Sequence, residues 1–373
     1  MIEKNYENNM RTSILASFTV AALAAILLTG CERENDMAGK PVEFSVRSID
    51  ETSDLRQTKV TYSTISSNRQ PIFWEIGDRV SIYCTQCNDI KCADYQVSKV
   101  KPTGTDSECY AQISPCSSEI LEWGESENHT FYAVFPGIST TDVISTIASN
   151  VITGSIPANQ GFRTISGSAT SDRAINPDMK NMYMVAKNTV AANSNVDPFL
   201  DFKPMSTAVQ ITLKNGFRSH NSMIINSISL TSASHALSGG FKIDMNQPGV
   251  NSRQKTILDP ATAPNGNTVT VSLGSSPVTV AYDKSLTVTL FLNPGNTVND
   301  LTMTISGINA GNDEPFVRST ELKYSNGTGV TFDTHRKTIL SGLVLPERIE
   351  WEIDHQLVVT PWISGGAGIN LGI

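Results

Sequence analysis

Apolar residues recur at every second position through most of this chain. Val42, Phe44 and Val46 alternate with Glu43 and Ser45, and Val209, Ile211 and Leu213 alternate with Gln210 and Thr212. The same spacing returns at Val269, Val271 and Leu273, at Leu286, Val288 and Leu290, and at Leu301, Met303 and Ile305. Trp351 with Ile353 and Val358 with Trp362 place a last strand near the end. A period of two puts one set of side chains on one face of a strand. Between the runs stand Pro264-Asn265-Gly266, Asn293-Pro294-Gly295 and Asn326-Gly327, which are turn sequences. Helical spacing is scarce after residue 31, with Thr141 to Ala148 as a weak candidate. Many short strands separated by turns predict an all-β chain built from sandwiches or barrels.

The first 31 residues follow a different rule. Arg11 precedes an apolar run from Ile14 to Leu28, interrupted only by Ser17 and Thr19. That run is short for a permanent membrane helix, which needs about 20 apolar residues. A basic start, an apolar stretch and small residues at its end describe a secretory signal, and Met10 is an alternative start for it. Leu28, Thr29, Gly30 and Cys31 read as a lipobox, with Cys31 as the site of lipid attachment. The chemistry needs a thiol there, because the thioether to diacylglycerol forms on sulfur before the peptide is cut. An ordinary signal peptide with an incidental cysteine, or an N-terminal anchor helix, is the competing reading.

The remaining length suits about two domains of roughly 100–200 residues. The expected division is a signal peptide at 1–30, a polar tether at 31–40, an N-terminal sandwich at 41–200 and a C-terminal sandwich at 201–373. The polar stretch from Ala191 to Pro198 marks the boundary. A net charge of −8 without basic runs argues against nucleic acid, whose phosphates demand clustered Lys and Arg. It also argues against holding an anionic membrane by charge, which leaves the lipid as the anchor.

The ordered motifs resemble those of the fimbrillins, pilus subunits and related surface lipoproteins of Gram-negative gut and oral bacteria. Phe73-Trp74-Glu75-Ile76-Gly77-Asp78-Arg79-Val80-Ser81-Ile82 looks like that family's W-x-x-G-D-x-I strand–turn–strand. Phe131 to Pro136 resembles its Y-A-x-Y-P strand, and Ile156-Pro157-Ala158-Asn159-Gln160 its I-P-x-x-Q stretch. Met182 to Ala186, Phe202 to Leu213, Leu237 to Ile243, Leu292 to Pro294 and Val358 to Trp362 follow in the family's order. The resemblance implies two transthyretin-like β-sandwich domains in tandem and a surface-exposed outer-membrane lipoprotein. It implies a pilus role in adhesion, with other subunits or further copies of the chain as partners. In polymerising members a protease cuts after an arginine beyond the first strand, and a strand from another subunit fills the groove. Here the removable strand would carry Val42, Phe44 and Val46, and the candidate cut sites are Arg56 first and Arg47 second. A plain solvated loop arginine is the competing reading of Arg56. A non-polymerising lipoprotein that binds a glycan or a host protein is the alternative function.

Cysteines depart from the family pattern. Cys84, Cys87, Cys92, Cys109 and Cys116 crowd one stretch of the first domain. Outside the cytoplasm such a group is expected to form disulfides, and an odd number leaves one thiol free or paired between chains. Cys84-x-x-Cys87 has metal-ligand spacing, but it lacks a matching second pair, so no metal is expected. No cofactor is expected either. Enzyme signals are lacking: His129, His220, His235, His335 and His355 are scattered, and neither H-E-x-x-H nor G-x-S-x-G occurs. Asp354-His355 reads as a strand-edge pair, and Gly366-Ala367-Gly368 as a tail. Trp74 and Trp362 fall inside strand patterns, which leaves Trp123 as the best candidate for an exposed aromatic, although core or interface contact outranks glycan binding even there.

Overall fold

The computed structural model describes residues 37–48, 61–62, 72–100, 109–137, 145–148, 150–192, 196–246, 256–259, 265–274, 276–295, 297–322, 329–332, 336–347 and 353–361. These residues form an all-β structure of packed sheets, and the described residues contain no α-helix. A single turn of 3-10 helix at Met179–Asn181 is capped by Asp178, whose side chain accepts from Lys180 N. Among the described residues no helix is long and apolar enough to cross a membrane.

Eight strands make the sheet that matters most here: β1 (Phe44–Ser48), β2 (Arg79–Tyr83), β3 (Cys92–Val100), β4 (Cys109–Pro115), β5 (Asn128–Phe135), β6 (Met184–Ala191), β7 (Phe199–Asp201) and β8 (Lys203–Pro204). Their order in space is β7-β1-β4-β3-β2-β5-β6-β8. All pairs are antiparallel except β1 with β7, which run parallel. The sheet curls on itself, so that Asn188 Nδ2 of β6 donates to Phe199 O of β7 at 2.7 Å. Inside the curl lies an aromatic core containing Phe44, Trp74, Tyr95, Trp123, Phe131, Phe135 and Phe202.

The W-x-x-G-D turn has a direct physical account. Gly77 sits at φ +93°, a conformation that L side chains rarely adopt. Glu75 N donates to Asp78 Oδ2 at 2.8 Å, which closes the turn locally. Gly77 N to Val97 O (2.9 Å) and Val97 N to Asp78 O (2.8 Å) then dock it on β3.

The second half is a sandwich of two six-stranded sheets. One runs 162–166, 173–177, 285–292, 207–216, 336–346, 353–361; the other contains 159–160, 268–272, 223–231, 302–309 and 314–321, with 278–280 also on 223–231. The alternating sets of the sequence meet between them: Val209, Ile211, Leu213, Leu286, Val288 and Leu290 face Val269, Val271, Met303 and Ile305 in one core. A four-stranded sheet of 256–258, 239–244, 151–156 and 145–148 covers the outer face of β5 and β6, where Val134, Tyr183 and Val185 meet Ile152, Phe241 and Ile243.

Several sequence expectations change here. Ser145–Ala148 is a strand rather than the end of a helix: it pairs antiparallel with 151–156, setting Ile147 opposite Ile152. β-Branched residues favour that half-buried pairing. Met37 to Lys40 is not free tether, because Gly39 N donates to Trp123 O (2.7 Å) and Trp123 N to Lys40 O (2.9 Å). Sheets also draw on both sides of residue 200: strands between 145 and 177 pair with strands at 239–244, 268–272 and 285–292. Gln160 of the I-P-x-x-Q stretch is part of this stitching. Its side chain donates to Phe291 O (2.6 Å) and accepts from Phe291 N (2.9 Å), acting as a substitute strand neighbour.

Candidate functional site

Strand β1 is where the sequence motifs and the geometry converge. It is an interior strand, hydrogen-bonded to β4 from Phe44↔Ile113 to Ser48↔Cys109 and to β7 from Ser45↔Phe199 to Arg47↔Asp201. Val42, Phe44 and Val46 are 4%, 4% and 0% exposed. Phe44 meets Tyr95 and Phe131 edge-on, each at 5.1 Å between ring centroids. Burying each of these side chains contributes about 1.5–3 kcal/mol. At its leading end Val42 N donates to Leu121 O (2.9 Å), and Leu121 N in turn donates to Tyr95 Oη at 3.0 Å. At its trailing end Ser48 Oγ donates to Ile72 O, and Phe202 N to Arg47 O at 2.8 Å.

β1 therefore occupies a slot between two strands whose backbone groups it satisfies, with its alternate side chains filling pockets below. A short extended segment of alternating sequence fits such a slot.

Of the candidate cut sites, Arg47 lies within β1 itself. Its Nε is 3.0 Å from Asp201 Oδ1 and its guanidinium lies over the Phe199 ring at 5.3 Å. A cut there would divide the strand rather than free it. Arg56, Cys31, Leu28, Thr29, Gly30 and Trp362 lie outside the described residues.

Of the two roles open to Trp123, exposed aromatic or core contact, the structure shows the core contact. It is 3% exposed and packs edge-on against His129 (4.9 Å) and Phe131 (5.8 Å). The cause is tertiary: residues 121–123 pair with residues 39–42 and press Trp123 into the core. Beneath it, Gly124 N donates to His129 Nε2 at 2.9 Å, and burial holds the imidazole below its ordinary pKa.

Four of the five clustered cysteines have described side chains. Cys84, Cys87, Cys92 and Cys116 are free thiols. Cys84 and Cys87 lie in the turn between β2 and β3, buried in the aromatic core. Cys92 packs instead on the opposite face of the sheet, beside Tyr83 and Tyr132. The backbone of Cys109 starts β4.

No family model matches the chain, and no curated protein matches it. Among solved structures, a Bacteroides ovatus protein with the provisional name of cell adhesion protein is 14% identical, covering 87% of this chain and 98% of its own, with a TM-score of 0.48. A Bacteroides uniformis protein with the same provisional name is 13% identical over 87% and 98%, with a TM-score of 0.45. A fimbrial assembly protein from Parabacteroides distasonis is 10% identical over 86% and 95%, with a TM-score of 0.36.

Two buried charged residues elsewhere in the structure escape a sequence reading. Glu75, inside the W-x-x-G-D motif, reaches Arg163 on the strand Phe162–Ser166. Lys337, in an alternating run, is buried beside β-strand neighbours and carries no pattern that sets it apart from a surface lysine.

Proposed function

We propose that this chain is a fimbrillin-like surface lipoprotein that acts in adhesion as a pilus subunit or accessory protein, and that β1 is the strand exchanged between subunits. The observation that carries this reading is the setting of β1. It is short, it lies between an antiparallel and a parallel partner, and it supplies alternate apolar side chains to a core that the rest of the sheet otherwise completes. Its departure would expose two strand edges, of β4 and β7, facing one another across apolar pockets. Unpaired edges of this kind recruit another strand. The motif order of the sequence and the lipobox at Leu28 to Cys31 support the surface setting, and Arg56 is the proposed point of release. The partners are other pilus subunits or further copies of this chain, and the membrane is reached through the lipid on Cys31.

The test is limited digestion of the folded protein, expressed from residue 31 with Cys31→Ser, by an arginine-specific protease. The reading expects one early cut beyond β1, loss of the fragment carrying Val42 to Ser48, and ladders resistant to heat and detergent. An Arg56→Ala variant should resist the early cut. Release of the fragment from a chain that stays monomeric would overturn the strand-exchange reading.

A further inference from the structure

The turn between β2 and β3 holds a thiol pair that strand exchange does not use. Cys84 and Cys87 are 0% and 1% exposed. The Cys84 sulfur faces the Cys87 thiol and the backbone amides of Gln86 and Cys87. Its thiol also lies 3.3 Å from Gln86 Oε1. Gln86 Oε1 in turn accepts from Thr130 N at 3.2 Å, so the turn is tied to β5. Lys91 Nζ donates to Cys87 O and closes the far side of the loop. The rim is equally fixed: Cys84 N donates to Lys91 O (2.9 Å) and Asn88 N to Glu122 O (3.0 Å).

The sheet also decides which cysteines can meet. Cys84 and Cys87 belong to the core inside the curl, whereas Cys92 packs against the core on the other face. Cys116 N pairs with Asp94 O, at the far end of β4. The two sulfurs of the turn therefore have each other as neighbours, with the backbone of a sheet between them and Cys92.

We propose that Cys84 and Cys87 are a redox pair that closes as an intramolecular disulfide, by exchange with a small or protein disulfide, and so locks the turn beneath Trp123. This rests on the surface reading only for its oxidising surroundings. Cys84 is the attacking sulfur. The Cys87 thiol, and behind it the amides of Gln86 and Cys87, lower its pKa against the effect of burial, while Cys87 is raised by its hydrogen bond to Cys84 and by burial. The Cys84 thiolate attacks the donor disulfide and expels one donor thiolate, giving a mixed disulfide. Cys87 then gives its proton to solvent, its sulfur attacks Cys84 Sγ, and the second donor thiol leaves. Two protein thiols are oxidised and one donor disulfide is reduced to two thiols.

The lock has a place in the larger site. The turn touches residues 121–123 through Asn88, and those residues carry the leading end of β1. At 0% and 1% exposure the closed disulfide is shielded from reductants.

The experiment refolds the reduced full chain, from residue 31 with Cys31→Ser, in buffer with glutathione disulfide in excess over glutathione. The product is quenched in acid, unfolded, alkylated and digested, and the cysteine peptides are weighed. The expected peptide carries Cys84 and Cys87 joined, two hydrogens lighter than the dithiol and without alkyl groups, while Cys92 and Cys116 are alkylated. A Cys87→Ser chain should retain glutathione on Cys84. Alkylation of both Cys84 and Cys87, or a link from either to another cysteine, overturns the proposal. Neither result depends on export or on ladder formation, so failure here is distinct from failure of the surface reading.

Discussion

Arg163 Nη1 lies 2.8 Å from Glu75 Oε1, which ties the W-x-x-G-D turn to a strand 88 residues further along the chain. Glu75 is almost fully buried, with 1% of its side chain exposed, and Arg163 keeps 32% of its own in water. The pair couples the curled sheet to the edge of the second-half sandwich.

Breaking that pair leaves a carboxylate in the interior. Arg163→Ala should therefore cost about 2 kcal/mol, less than the 3–5 kcal/mol typical of a fully buried pair because solvent screens the arginine. Denaturant unfolding of Arg163→Ala and of Arg163→Ala/Glu75→Gln measures it. The double variant should recover part of the loss, since an amide is cheaper to bury than a carboxylate that has lost its arginine. Equal loss in both would show that the charge is not the cause.

Phe44 fills the central pocket of the β1 slot. Phe44→Ala should destabilise by about 3–5 kcal/mol, through lost burial and a cavity between Tyr95 and Phe131. Ser45→Ala, on the other face of the same strand, should stay within about 0.5 kcal/mol. Unfolding midpoints of the two variants give the comparison.

His129 makes stability depend on acid. Burial lowers its pKa in the folded state, so the unfolded chain takes up a proton first, near its ordinary value of about 6.5. Stability is lost as pH falls below that value and is regained above it. His129→Gln keeps an acceptor for Gly124 N and should flatten the melting-temperature profile between pH 7 and 5 relative to the parent. A difference that does not vary with pH would exclude this titration as the source.

Lys337 works in the alkaline range. Burial lowers its amine to about 7, against an ordinary value of about 10.4. The folded state binds fewer protons between those values, so stability should rise with pH there, by at most about 1.4 kcal/mol per unit. Lys337→Met should be more stable at neutral pH and lack that rise. Parallel slopes for parent and variant in thermal melts across this window would contradict it.

Legibility in the sequence followed the range of the physical signal. Val42, Phe44 and Val46 point inward as their alternation predicts, and Gly77-Asp78 forms the turn that its residue types require. The Glu-Trp-Gly context leaves the exposure of Trp123 open, because its burial depends on a backbone pairing with residues 39–42 that no local pattern announces. The five cysteines were legible as a cluster but not as two groups, because the sheet that separates Cys84 and Cys87 from Cys92 is a product of pairing.

What the sequence determined by itself is the class of structure: strands, their inward faces and several of their turns. Those follow from interactions between residues two to four apart, which are the same wherever the strand ends up. The tertiary structure alone decided the neighbours. Alternation states which face of a strand is apolar but not which strand lies beside it, so β1 against β7, the strands before 177 against those after 239, and Arg163 against Glu75 were all set by how the sheets could close over shared cores.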